Sequence, residues 1–191
     1  GKQAMDAGNL ESAVQEFEAA LQLDPNSSEA HFRLGNAYVE QGRLTEAEQA
    51  FGKATELNPQ NADAFSNLGV VYYNQGKTSQ AIDQFKKALE LVPQDAEIHY
   101  NLGGVYAQEE RWDDALAEFK RANELDPALA EPYLGMGSIY QLQGRNADAV
   151  AALAQLRAQD ALHALVLDLR GDPGGLVDQA ILVADQFLDA G

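Results

Sequence analysis

Asn67 and Asn101 stand 34 residues apart, and Asn36 lies one helical turn beyond Arg33, the position the same step reaches from Asn67. A carboxamide offers both a donor and an acceptor, so a row of them can hold the backbone of an extended peptide without reading its sequence. The alternative is that these amides bond only to neighbouring segments of their own chain; the residues leave both readings open. His31 and His99 also share one register, and Phe65 and Tyr133 hold the same place in the other copies. Imidazoles in that company read as half-buried packing, because a metal site needs several converging ligands and one His per 34 residues does not supply them. The chain has no Cys, which excludes disulfides, thiolate metal sites and cysteine nucleophiles. Arg170-Gly171-Asp172 spells a cell-adhesion tripeptide, but it sits inside a Gly- and Pro-rich turn and reads as that turn. No cofactor and no metal is expected.

The elements that position these residues recur. Leu34-Gly35, Tyr38, Gly42, Ala47, Phe51, Ala54 and Pro59 form a spine. One 34-residue step gives Leu68-Gly69, Tyr72, Gly76, Ala81, Phe85, Ala88 and Pro93; the next gives Leu102-Gly103, Tyr106, Ala115, Phe119, Ala122 and Pro127. A third gives Met136-Gly137, Tyr140, Gly144, Ala149, Leu153 and Leu156, and a backward step gives Gly8, Ala13, Phe17, Ala20 and Pro25. Each period reads as two amphipathic helices. A glycine in left-handed conformation separates them, and a proline closes the second. Ser27, Asn61 and Asp95 fall where a short oxygen side chain caps the next helix. The repeated Gly and Ala predict close helix–helix approach, and the Tyr and Phe fill the space between. A two-helix unit cannot bury its apolar face alone, so neighbours must stack.

Thirteen basic residues stand against 30 acidic ones, for a formal charge of −17. That field repels phosphate backbones, so nucleic acid is excluded as a partner, and a basic or neutral peptide suits it better. No apolar run approaches the roughly 18 residues of a membrane span. The chain begins at Gly1 within a repeat, and the expectation is a fragment of a longer protein.

The pattern of Leu-Gly, Tyr, Ala, Phe, Ala and Pro at fixed offsets resembles the tetratricopeptide repeat (TPR) family over residues 1 to about 160. The resemblance implies an all-α, right-handed superhelical solenoid that serves as a protein–protein interaction scaffold. The divisions are a partial repeat at 1–27, full repeats at 28–61, 62–95 and 96–129, a degenerate one at 130–160, and a different segment at 161–191. In this family the first helices line a concave face. Its exposed positions are then Arg33, Asn36 and Glu40; Asn67, Val70, Tyr73 and Asn74; Tyr100, Asn101, Gly104 and Gln108; and Ser138 and Gln141. Tyr73 and Tyr100 add flat contact area of the hot-spot type. Repeats that clamp acidic C-termini use two Asn with Lys, Lys and Arg. Asn36 and Asn67 stand at the Asn positions, but Phe32, Glu97 and Asn101 replace the cations, so no such binding is expected. The face of Leu10 to Leu23 is expected to be under-covered, which allows self-association through the first repeat. Glu110 replaces the turn glycine, at a cost of about 1 kcal/mol.

The last segment differs in kind. Ala164 to Leu169 reads as a strand, Gly171 to Gly175 as a tight turn and Leu176 to Leu188 as a helix. The stretch Leu165 to Leu188 resembles the strand–turn–helix of the C-terminal processing, or tail-specific, serine peptidases, with Asp172 for the usual Asn. In that family a Ser nucleophile and a Lys base lie downstream, and the glycine turn helps form an oxyanion hole. Gly174 and Gly175 are the vestige of that turn, without a nucleophile to serve: the last Ser is Ser138 and the last Lys is Lys120. The expectation is a non-catalytic scaffold. The rival is the substrate-recruiting part of a processing peptidase cut short, and an artificial junction of two sequences is a further possibility. The peptidase resemblance implies a bacterial cell envelope or periplasm; without it the cytoplasm is expected.

Overall fold

The computed structural model describes residues 10–158. Among them are nine helices and no strand. The expected first helix around Gly1 to Ala7 and the strand–turn–helix of 161–191 lie outside the described residues. The helices are α1 Leu10–Leu23, α2 Ser28–Glu40, α3 Leu44–Leu57, α4 Ala62–Asn74 and α5 Thr78–Leu91 in one compact unit. A second unit holds α6 Ala96–Gln108, α7 Trp112–Leu125, α8 Glu131–Leu142 and α9 Asn146–Ala158. In the first unit α2 pairs with α3 and α4 with α5, while α1 packs on α2 and α3 on α4. In the second, α6 pairs with α7 and α8 with α9, and α7 packs on α8.

Local chemistry sets the helix boundaries. Ser27, Asn61 and Asp95 accept hydrogen bonds from the N–H groups of Ala30, Ala64 and Ile98 at 3.0–3.2 Å, satisfying donors the first turn leaves open. At the other end of α2, Gly42 takes φ 71°, and Arg43 N–H reaches back to the Tyr38 carbonyl at 2.8 Å. Gly42 N–H meanwhile bonds the Val39 carbonyl at 2.9 Å. These are the two bonds of the Schellman motif. α4, α6 and α8 end in the same way; at α6 the left-handed residue is Glu110, at φ 58°.

The paired helices close on one aromatic ring each. A Cβ added to Gly35 would stand 2.7 Å from the Phe51 ring, and one on Gly103 would stand 2.7 Å from Phe119. Phe51, Phe85, Ala47 and Ala81 are all but fully buried. Each such ring contributes roughly 1.5–3 kcal/mol on leaving water. Where the fifth copy has Leu153 for the aromatic, the gap relaxes: a Cβ on Gly137 would meet it at 3.2 Å. Phe119 is also met from α8, where Gly135 approaches the opposite side of its ring.

A second recurrent device joins each turn to its helix pair. Arg43 lies 4.4 Å over the Tyr38 ring, Lys77 5.4 Å over Tyr72, Arg111 4.3 Å over Tyr106 and Arg145 4.4 Å over Tyr140. Arg43, Arg111 and Arg145 donate in addition to Glu46, Asp114 and Asp148 three residues on. Lys77 instead bonds Glu48 on α3 at 2.7 Å. The side chains of these cations are solvent-exposed, so each contact adds only modestly to stability.

Candidate functional site

The face expected to bind a partner is built from the first helix of each pair. In the first unit, the roughly 3.6-residue period turns Leu34 and Tyr38 of α2 toward the core and Arg33, Asn36 and Glu40 to the other side. Asn67 on α4 donates from Nδ2 to Asn36 Oδ1 at 2.9 Å. The amide row is therefore linked between neighbouring repeats at this pair, the intramolecular arrangement that the sequence left open. One hydrogen bond uses a single donor of Asn67 and a single lone pair of Asn36, out of the three to four bonds a carboxamide can form. Asn36, Asn67, Val70 and Tyr73 are half-buried and Asn74 is exposed. Arg33 is exposed, and its Nε donates to Glu29 one turn back on the same helix at 2.6 Å. That ion pair is about half exposed at Arg33 and two-thirds exposed at Glu29, so it contributes little stability.

In the second unit the expected residues divide. Gln108 and Gln141 are exposed, and Asn101 and Gly104 are half-buried. Tyr100 is half-buried, with its ring centroid 5.9 Å from that of Phe119, so it braces the core of its own pair. Phe32 does the same to Phe51 at 5.8 Å. Ser138 corrects the sequence expectation of exposure: it is 3% exposed. Met136 through Tyr140 are buried in succession, so this part of α8 is covered all round and its Ser is enclosed. Gly174 and Gly175 lie outside the described residues.

His31 Nε2 donates to the Pro25 carbonyl at 3.0 Å, and His99 Nδ1 lies 2.6 Å from Glu118 Oε2. Among the described residues no cluster of His, Cys, Asp or Glu could hold a metal ion. Burial, and then its bond to Glu18 at 2.9 Å, push the Tyr38 phenol above its ordinary pKa. The Arg43 hydrogen bond holds the Glu46 carboxyl below its ordinary range. The sequence reading named Tyr38 and its equivalents but missed the cations stacked on them, although Arg43, Lys77, Arg111 and Arg145 keep the 34-residue step.

This arrangement of capped helix pairs, turn glycines and small-residue contacts defines a helical-repeat scaffold. The TPR repeat family model matches at residues 1–42, 35–76, 71–109 and 104–144, and the chain belongs to that family. It is thus an all-α protein of the repeat-solenoid class, a protein-interaction scaffold. A second family, Peptidase family S41, matches residues 133–191, overlapping the last TPR match over α8. No curated protein matches the chain.

Among solved structures the fold is similar to MamA, with a TM-score of 0.80 and 24% identity over 85% of this chain and 95% of that one. It is similar to YrrB, described as a TPR protein with an unusual peptide-binding site, with a TM-score of 0.71 and 29% identity over 85% and 87%. PilF of Pseudomonas aeruginosa aligns over 98% of this chain and 86% of its own, with a TM-score of 0.75 and 21% identity. Among the described residues no helix is long and apolar enough to cross a membrane.

Proposed function

We propose that the chain binds an extended peptide or partner segment along the face lined by the first helices, without catalysing a reaction on it. The observation that carries this reading is the Asn36–Asn67 pair on α2 and α4, beside Val70, Tyr73 and Asn74. The pair is cross-braced by one bond and so pre-organised, while its remaining amide positions suit a peptide backbone. Tyr73 supplies the flat contact of a hot spot. In the second unit Asn101, Gly104, Gln108 and Gln141 are the corresponding surface, and Tyr100 acts mainly as a brace. The likeness to YrrB supports a peptide ligand. The formal charge of −17 favours basic or neutral peptides over acidic ones. The test is an Asn67→Ala/Tyr73→Ala double variant against a peptide selected from a random library. Weakened binding with an unchanged melting profile is expected; unchanged affinity in the folded variant overturns the reading.

The match of residues 133–191 to Peptidase family S41 favours a second reading, in which the repeats recruit substrate to an S41-type peptidase domain. That segment has no Lys, and its single Ser, Ser138, is buried, so this chain does not supply the Ser–Lys pair. A parent reading frame with a Ser and a Lys beyond Gly191 in the family's arrangement would favour it; a frame without them would remove it.

A further inference from the structure

On the opposite side of α2 from the amide row, Leu34 and Tyr38 pack into the core, and a pocket remains at the edge of that packing. A cavity of about 250 Å³ opens between α2 and α3, lined by His31, Leu34 and Tyr38 from one and Glu46, Gln49, Ala50 and Lys53 from the other. The neighbouring repeat carries larger side chains at the same registers. At the register of His31 it has Phe65, buried, with Lys87 Nζ 5.6 Å from the ring centroid. At the register of Ala50 it has Gln84, and Lys87 is the counterpart of Lys53. In the second unit the equivalent positions are joined by the His99–Glu118 contact at 2.6 Å. The first full repeat therefore combines the two smaller residues. Its His31 ring is moreover turned to the Pro25 carbonyl, and its Lys53 is paired with Glu56 at 2.5 Å.

We propose that this cavity receives one aromatic side chain of a partner peptide, flanked in that peptide by Lys or Arg, as a second binding site distinct from the first-helix face. The aromatic specificity follows from the equivalent space in the next repeat, where a phenylalanine ring sits between the same helix registers under a lysine. The volume lies below the ~300–1,000 Å³ of drug-sized pockets and suits a single side chain. The basic flanks follow from the surroundings. Glu46 lines the cavity and is bonded to Arg43, Glu18 accepts from the Tyr38 hydroxyl beside it, and α1 carries Glu11, Glu16 and Glu18 with no Lys or Arg, so carboxylates outnumber the two nearby cations, Arg43 and Lys53. The one lining cation, Lys53, is paired with Glu56 at the surface.

The test uses the full chain and three capped tripeptides, Arg-Phe-Arg, Arg-Ala-Arg and Glu-Phe-Glu, followed by amide chemical-shift titration. Arg-Phe-Arg is expected to saturate, with the shifts centred on His31, Gln49, Ala50 and Lys53. Both other peptides should bind about tenfold or more weakly, the effect of losing one buried ring or the charge complementarity. The His31→Phe/Ala50→Gln variant installs the pair the next repeat already carries as Phe65 and Gln84, and it should weaken Arg-Phe-Arg by a similar factor. Should that variant melt lower than its parent, Ala50→Gln alone serves in its place. Shifts confined to Asn36 and Asn67, no saturation, or equal affinity in the filled variant would each overturn the site. Equal affinity for Glu-Phe-Glu would overturn its charge preference. Because Asn67→Ala/Tyr73→Ala leaves these lining residues intact, failure of one site is separable from failure of the other.

Discussion

Replacing Glu110 by Gly should stabilise the protein. The residue ends α6 at φ 58°, a conformation costing an L-residue about 1–2 kcal/mol. Glycine removes that cost but loses about 0.5–1 kcal/mol more chain entropy on folding. The motif's own bonds, Glu110 N–H to Ala107 at 3.0 Å and Arg111 N–H to Tyr106 at 2.9 Å, use the backbone and survive the change. The Glu110 side chain is exposed, so little packing is lost. The net gain is roughly 0.5–1 kcal/mol, or about 1–4 °C in midpoint for a chain of this size. Urea titration followed by circular dichroism would measure it, with an unchanged slope showing that the folded and unfolded ensembles are otherwise alike. The reverse change at the matching turn, Gly144→Glu, should cost a similar amount, since nothing lies within 4 Å of a Cβ there. A Glu110→Gly midpoint equal to or below the parent's, at constant slope, would refute the assignment of strain to this turn.

Gly35→Ala should destabilise by about 1–2 kcal/mol, because overpacking against the buried Phe51 ring outweighs the helix-propensity gain. Gly137→Ala should be near neutral, since its nearest atoms belong to the Leu153 side chain at 3.2 Å; equal losses at both positions in a thermal melt would contradict the packing account. The depressed Glu46 carboxyl, charged through its bond from Arg43, makes a stabilising contribution present at neutral pH and lost as pH falls through its folded pKa. The stability difference between parent and Glu46→Gln should therefore shrink toward acid, and a pH-independent difference would contradict this. A free acidic C-terminal peptide should show no tight, salt-sensitive uptake by calorimetry, because Phe32, Glu97 and Asn101 occupy the places of the needed cations.

What was legible in the sequence was local or periodic. Ser27, Asn61 and Asp95 announce their caps within three residues, and Gly42, Gly76 and Gly144 announce their left-handed turns at single positions. The close approach of Gly35 to Phe51 was legible because the same small–large pairing recurs at every step. The site was less so. Exposure of Ser138 was inferred from its register alone, but register fixes only a direction around the helix, and α8 is covered on every side there. Tyr100 shares a helix with surface residues yet braces Phe119, because its position is that of Phe32. The cavity beside His31 goes with two residues smaller than their next-repeat counterparts, His31 on α2 and Ala50 on α3, coinciding in one repeat, which neither helix reveals alone.

The central claim is that the first-helix face holds a peptide. Its most direct measurement is amide and side-chain shift mapping with a library-selected peptide that binds the full chain. The account predicts saturable shifts of the Asn36 and Asn67 side-chain amides together with Val70, Tyr73 and Asn74, reduced in parallel with affinity in Asn67→Ala/Tyr73→Ala. A tight peptide whose shifts leave those residues unmoved would contradict it.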